Sequence, residues 1–260
     1  MNLKIISLNI NGLRHKAEFI EKHFKNIDII CLQESKLNNL LIKQKLFKNF
    51  NEYHFIDPHT LGQYGVSILY NHKIILKHLN EIIINDNFGR IALMEFIFNN
   101  HNITLINIYA HHISDITNSY KIKQKIAFYK KLITLVNKYK HTNLIILGDF
   151  NANKDKTNDF ICNTYKNTPP GFFDIELKIY NQFLDKTNLI NLYNFTGTYS
   201  YYSQRTRQKY IMFKHNKGLT VDAIMINNKF KNIIKKYHFE ILKKFYTLSD
   251  HLPLYLEVSI

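Results

Sequence analysis

Nine residues of this chain have side chains suited to chemistry: Asn9, Asn11, Glu34, Tyr109, Asp149, Asn151, Asp222, Asp250 and His251. Carboxylates hold a hard divalent cation or take a proton from water. Amides, an imidazolium and a phenol can donate to negative charge as it develops. Such a set suits metal-assisted hydrolysis. Each residue alone also has a plainer reading. Asp149 in Gly148-Asp149-Phe150-Asn151 could be a turn aspartate, Glu34 a helix cap, Asp222 a lysine's partner and His251 a core histidine. An isolated Ser249-Asp250-His251 is a weak signal. The order and spacing of the whole set carry the argument.

These residues must be positioned by the elements that precede them. Short apolar runs rich in β-branched residues predict strands over 3–8, 28–32, 64–70, 91–98, 103–109, 144–147, 221–226 and 254–258. Helical patterns cover 16–25, 117–139 and 174–186, the second with Ile122, Ile126, Phe128, Tyr129, Leu132, Ile133 and Val136 on one face. The polar residues then fall just beyond strand ends, where loops carry polar groups and strands fix their positions. Several strands are apolar throughout, which predicts sheets covered on both faces. The middle strands follow one another without helices, so the pattern predicts a two-sheet α/β sandwich with mixed sheets in one domain over 1–260.

Composition narrows the class. The chain has 260 residues, 45% of them hydrophobic, enough to bury a sizeable core. Thirty-five basic residues against 20 acidic ones leave a net charge of +15. That excess would steer a polyanion such as DNA. It also fits a solubility surface in a chain rich in Lys, Asn and Ile, so charge does not decide. Two cysteines, Cys31 and Cys162, make a poor staple for a domain of this size and predict a reducing compartment. No apolar stretch approaches the roughly 20 residues that cross a bilayer. The opening residues lack the apolar core and cleavage site of a signal peptide. The expectation is an intracellular, cytoplasmic monomer, nuclear if the source is eukaryotic.

The segments around the polar residues carry a resemblance. Leu8-Asn9-Ile10-Asn11-Gly12-Leu13-Arg14, Leu32-Gln33-Glu34-Ser35-Lys36, Tyr64-Gly65-Val66, Gly89-Arg90-Ile91, Asn107-Ile108-Tyr109, Gly148-Asp149-Phe150-Asn151, Gly218-Leu219-Thr220-Val221-Asp222 and Ser249-Asp250-His251-Leu252-Pro253 occur in that order. From end to end the chain resembles the exonuclease III / abasic-endonuclease family of the endonuclease/exonuclease/phosphatase superfamily. The resemblance implies a four-layer, DNase I-like α/β sandwich, with two mixed sheets face to face and helices outside.

It also implies roles. Glu34 would be the main ligand of Mg²⁺, or of Mn²⁺ in its place, with Asn9 and Asp250 nearby. Asp149 would orient and deprotonate the attacking water. Asn151, expected on the same extended segment and projecting the same way, would donate to a phosphate oxygen. His251 would contact the phosphate, with Asp222 holding its tautomer, and Tyr109 would offer its phenol. Asn11 and Arg90 would meet DNA. Tyr201, Leu219 and Val221 match the apolar pocket that takes a base-free sugar, and otherwise read as the core of a hairpin. Between them residues 204–217, with Arg205 and Arg207, mix basic and aromatic residues as a DNA-facing loop would. Three positions depart from the family pattern. Ala110-His111-His112 stand where a Pro and an Asn or Gln are usual, Thr220 where an arginine is frequent, and Tyr201 where Trp or Phe is common. His112 could still donate to a phosphate.

The implied activity is cleavage of double-stranded DNA 5′ to an abasic site, leaving a 3′-hydroxyl, with 3′-phosphodiesterase or 3′→5′ exonuclease activity on blocked ends. A target-nicking endonuclease of the non-LTR retrotransposon type shares the site, but the chain ends one strand after Ser249-Asp250-His251, which favours a stand-alone enzyme. A lipid or inositol phosphatase fits the basic aromatic loop less well. A non-catalytic DNA-binding module would leave the retained site groups idle.

Overall fold

The computed structural model describes residues 2–57, 59–60, 62–76, 89–154, 168–192, 198–202 and 218–260. The loop 204–217, with Arg205 and Arg207, lies outside the described residues, as does Cys162. The first sheet has the order β11-β12-β1-β2-β4-β3. Its strands are β1 (Asn2–Asn9), β2 (Ile29–Gln33), β3 (Asn51–Phe55), β4 (Val66–Tyr70), β11 (Lys236–Ile241) and β12 (Leu254–Ser259). The second has the order β5-β6-β7-β8-β10-β9. It comprises β5 (Ile75–Leu76), β6 (Ile91–Phe98), β7 (His101–Tyr109), β8 (Asn143–Asp149), β9 (Ile190–Asn191) and β10 (Asp222–Ile226). Both are mixed: β1 runs parallel to β2 and β7 parallel to β8, while their other pairings are antiparallel.

Three apolar clusters separate four layers. Leu3, Ile5, Cys31 and Ile68 of the first sheet pack against Met94, Leu105, Leu147 and Ile224 of the second. On the outer face of the first sheet, Ile6, Leu8, Ile30 and Leu32 meet Ile20 and Phe24 of α1 (Ala17–Phe24). On the outer face of the second, Ile106, Ile146 and Met225 meet α3 (Ser119–Tyr139) and α4 (Asp174–Thr187). Strands buried on both faces have no polar alternation, which is why β2, β4 and β8 read as unbroken apolar runs. Two short helices, α2 (Asn39–Ile42) and α5 (Asn228–Ile233), complete the described elements.

The four-layer expectation holds, and the departures are local. β3 and β11 were not foreseen, nor were the two-residue edge strands β5 and β9 of the second sheet. β3 and β11 are the two edges of the first sheet, half-buried or solvated, so polar residues dilute the apolar signal. The buried stripe of α3 is Lys125, Phe128, Tyr129, Leu132, Leu135 and Val136. Ile122, Ile126 and Ile133, expected on that face, are only partly buried.

Register brings the polar strand ends together. Tyr109 of β7 lies opposite Asp149 of β8, and Asp149 lies opposite Asp222 of β10. The approach of β7 to β8 depends on Gly148, whose φ is +134° and whose added Cβ would fall 2.0 Å from Ile108 O. Replacing Gly148 with alanine is expected to destabilise the protein by about 3 kcal/mol, through strain and forced separation of the strands. Urea unfolding reads this directly, and a variant with the parental midpoint would refute so close a contact.

Candidate active site

β1, β2, β7 and β8 end and β10 begins at one edge of the sandwich, where their terminal and flanking residues are joined by hydrogen bonds and one longer ion pair. Asn9 Nδ2 donates to Glu34 Oε1 at 3.0 Å and to Asp149 Oδ2 at 2.9 Å, joining the first sheet to the second. Tyr109 OH donates to Glu34 Oε1 at 2.9 Å. His251 Nδ1 meets Asp222 Oδ2 at 2.8 Å, and its Nε2 lies 3.9 Å from Asp149 Oδ2. Asn9, Glu34, Asp149, Asn151, Asp222 and His251 thus sit in one linked group. Tyr109 and Asp250 border it, the latter accepting from Asn11 Nδ2 at 3.3 Å.

The turns that present these groups bend sharply. Asn11, Glu34, Lys36 and Asn151 have φ between +46° and +52°. Such left-handed non-glycine residues cost energy and concentrate where geometry serves a site. For Asn151 this corrects the expectation of an extended segment. Its backbone N–H turns back to Asp149 Oδ1 at 2.8 Å, and its Nδ2 donates to Ala110 O at 2.9 Å and to Asp149 Oδ2 at 3.3 Å. The amide therefore faces Asp149, so in this geometry it orients that carboxylate.

Burial and neighbouring charge set the protonation states. Asp149 is 1% exposed. Burial, then the nearby Asp222 carboxylate, raises its pKa to about 7. For His251, burial alone would lower the pKa, but Asp222 and then Asp149 outweigh it and lift it to about 10, so the imidazole carries charge at neutral pH. Glu34 goes the other way. Burial would raise it, yet Lys36, Asn9 and Tyr109 together hold it below the usual carboxylate value. Burial, reinforced by Glu34, keeps the Tyr109 phenol protonated.

Two clusters could hold a metal. The first centres on Glu34, whose Oε2 pairs with Lys36 Nζ at 2.8 Å; the same ammonium bonds Asn11 Oδ1. An ionised carboxylate, amide oxygens and the neighbouring Asp250 make a hard-oxygen set that fits Mg²⁺. The ammonium already lodged there shows that the position favours a cation. The second is Asp149, Asp222 and His251, whose ligand atoms lie within 4.8 Å of one another. A protonated His251 cannot ligate, so that trio has the character of a proton-handling group.

Glu34, Asp149, Asn151 and His251 of this group line a cleft of about 890 Å³. Its lining includes Arg90, His112, Tyr201, Leu219 and Val221 from the sequence reading. Arg90 is 5% exposed, its guanidinium 4.2 Å over the Tyr64 ring and 4.6 Å over that of Tyr109. It also donates to Tyr109 O at 3.3 Å, so it braces Tyr109 as well as lining the cleft. Tyr201 pairs by a backbone bridge with both Leu219 and His251, and its ring centroid is 4.9 Å from that of His251. Leu219, Val221 and Tyr201 form a small apolar cluster with Phe172, a residue the sequence reading missed. Phe172 stands alone between a proline-glycine turn and a helix start, with no periodicity to mark it. Tyr64, Tyr120, Lys121 and Gln124 also line the cleft unforeseen. Lys121 and Gln124 read simply as the polar face of a helix.

Two mixed sheets packed face to face between helices, with an acid–imidazole group where their strands end, define a DNase I-like α/β sandwich. A family model described as Endonuclease/Exonuclease/phosphatase family matches residues 6–251. The chain belongs to that family. It is 26% identical to the DNA-(apurinic or apyrimidinic site) endonuclease of Dictyostelium discoideum, an alignment spanning 99% of this chain and 71% of that protein. Among solved structures, the AP endonuclease LMAP from Leishmania major superposes with a TM-score of 0.77 at 18% identity, covering 100% of this chain and 88% of that one. An AP endonuclease from Archaeoglobus fulgidus gives 0.77 at 20% identity, covering 99% and 100%. The likeness to the solved structures is one of fold.

Proposed function

We propose that this chain is a Mg²⁺-dependent DNA phosphodiesterase that cuts 5′ to abasic sites, leaves a 3′-hydroxyl and also clears blocked 3′ ends, with Mn²⁺ able to replace Mg²⁺. The observation that carries the reading is the adjacency of a linked acid–base group to a small apolar cluster. Asp149 and His251 lie beside Tyr201, Leu219, Val221 and Phe172. The abasic endonuclease from Dictyostelium discoideum and the folds of the two AP endonucleases support it.

Asp149 takes the proton of the attacking water, held in aim by Asn9 and Asn151. The His251 cation donates from Nε2 to a phosphate oxygen, while Asp222 accepts from its Nδ1 and holds the ring's orientation and charge. Tyr109 supplies a protonated phenol near the leaving oxygen. Glu34, Asn9 and Asp250 would hold Mg²⁺, which when bound would offset phosphate charge and charge on the leaving oxygen. Arg90 and His112 line the cleft, with desolvation and then the nearby Lys125 and Lys121 keeping the His112 imidazole neutral; Asn11, bonded to Asp250, would also meet DNA. Arg205 and Arg207 would meet the DNA backbone.

Target nicking of undamaged DNA would use the same acid–base group. The apolar cluster favours the abasic reading, because a sugar without its base can enter a small pocket that an intact nucleotide cannot. The deciding assay incubates the protein with a duplex carrying one abasic-site analogue, a matched undamaged duplex and a 3′-recessed duplex, with and without Mg²⁺. Strong cutting of undamaged DNA alone would overturn the proposal.

Two further outcomes are expected. Glu34→Ala should raise the Mg²⁺ concentration for half-maximal rate by about 10–100-fold, as removal of ligand-shell groups commonly does; an unchanged Mg²⁺ titration would move the metal elsewhere. DNA affinity should fall steeply with salt, log K dropping by about 0.9 per phosphate neutralised. A flat salt response would argue against backbone binding.

A further inference from the structure

Lys125 of α3 and Glu176 of α4 pair with 0% of either side chain exposed. Burying two charges costs desolvation that their attraction roughly offsets, so such a pair is a poor source of stability. Their other bonds suggest what it does. Lys125 Nζ also donates to Asn151 O at 2.6 Å. Glu176 Oε2 accepts from Gly171 N at 2.6 Å and from Phe173 N at 3.3 Å. These two amides flank Phe172, the fully buried member of the apolar cluster, which packs behind Leu219 and Val221 of the cleft lining. The segments also touch directly, since a Cβ on Gly171 would lie 3.2 Å from Asn151 O. One buried pair therefore grips both the turn whose amide orients Asp149 and the segment that carries Phe172.

We propose that Lys125 and Glu176 are positioning residues that hold the Asp149 turn and the Phe172 pocket in one register, so that fitting a base-free sugar and activating water are coupled. This rests on the abasic reading above. The pair touches neither substrate nor metal and acts through Asn151 and Phe172. Charged residues in two amphipathic helices would ordinarily face solvent; here they face inward because both helices pack over the loops that end β8 and begin α4.

The test uses two double variants of the full chain, each free of an unpaired buried charge. Lys125→Met with Glu176→Gln keeps an acceptor for Gly171 N and loses the tether to Asn151. Lys125→Met with Glu176→Leu loses both tethers; removing the buried charges offsets part of the cost of leaving Gly171 N, Phe173 N and Asn151 O without these partners, so its thermal midpoint should fall only modestly. On the abasic duplex the first should lose about 10–100-fold in kcat with KM nearly unchanged, the scale of a misplacement of about 1 Å. The second should in addition lose about tenfold of its preference for abasic over undamaged duplex. Amide hydrogen exchange at Gly171 and Phe173 should quicken only in the second. Parental kcat, preference and exchange in the leucine variant would overturn the proposal. Should the leucine variant not fold, parental kcat in the glutamine variant would do the same. A parent that fails to cut abasic DNA would refute the functional reading instead, and the exchange rates would still decide whether the tethers exist.

Discussion

Replacing Asp149 with asparagine is expected to cut kcat on an abasic duplex by about 10²–10⁴-fold, the range of a general base. The substitution preserves shape, and an amide in that place can still bond Asn9 and Asn151 after rotation. It removes the basic oxygen and the negative charge 3.9 Å from His251 Nε2. Burial has already raised the Asp149 pKa to about 7, where a base is both available and strong enough to take a proton at neutral pH. The sign for pH follows. At fixed saturating Mg²⁺, kcat/KM should rise with pH as Asp149 ionises, through about 7 or below it because a bound cation favours the carboxylate, and the asparagine variant should lack that limb. Stability should run the opposite way for this group. Its folded pKa is raised above the ordinary aspartate value of 3.8, so its contribution is present at low pH and lost as pH rises through about 7. A pH–rate profile on parent and variant tests both points, and near-parental turnover in the variant would remove Asp149 from the role of base.

Exchanging His251 for glutamine should lower kcat by about 10²–10³-fold, the cost of losing one preorganised donor to a developing oxyanion. Asp222 is what makes His251 a standing cation: its carboxylate, 2.8 Å from Nδ1, outweighs burial and lifts the imidazole to about 10. Activity should therefore decline only as pH approaches about 10. The folding contribution of this raised group is complete below the ordinary histidine value of 6.5 and disappears through about 10. Glutamine leaves Asp222 a donor but carries no charge, so kcat should fall more than KM rises. A loss confined to KM would mean that His251 only binds DNA.

Most of the fold could be read because the strands nearest the site are covered on both faces. β2, β4 and β8 are buried at every position, so their apolar runs were unmistakable. β3 and β11 escaped notice because an edge strand can take Glu52 or Lys236 without burying a charge between sheets. The reactive residues were legible as types at strand ends, yet their conformations were not. Asn151 was expected on an extended segment and instead adopts φ +46°, which turns its amide onto Asp149.

By itself the sequence determined which groups this protein has for chemistry and roughly where its strands end, because side-chain type and hydrophobic period are local properties. It could not determine which groups meet. Asn9 bonds Asp149 across 140 residues, and Lys125 reaches Glu176 across 51. Nothing in the local pattern singles out Lys125, Glu176 or Phe172. Only the packing of α3 and α4 over the strand-end loops put the pair in the dark and the ring against Leu219 and Val221, since burial is set by what other segments cover and is absent from any local pattern.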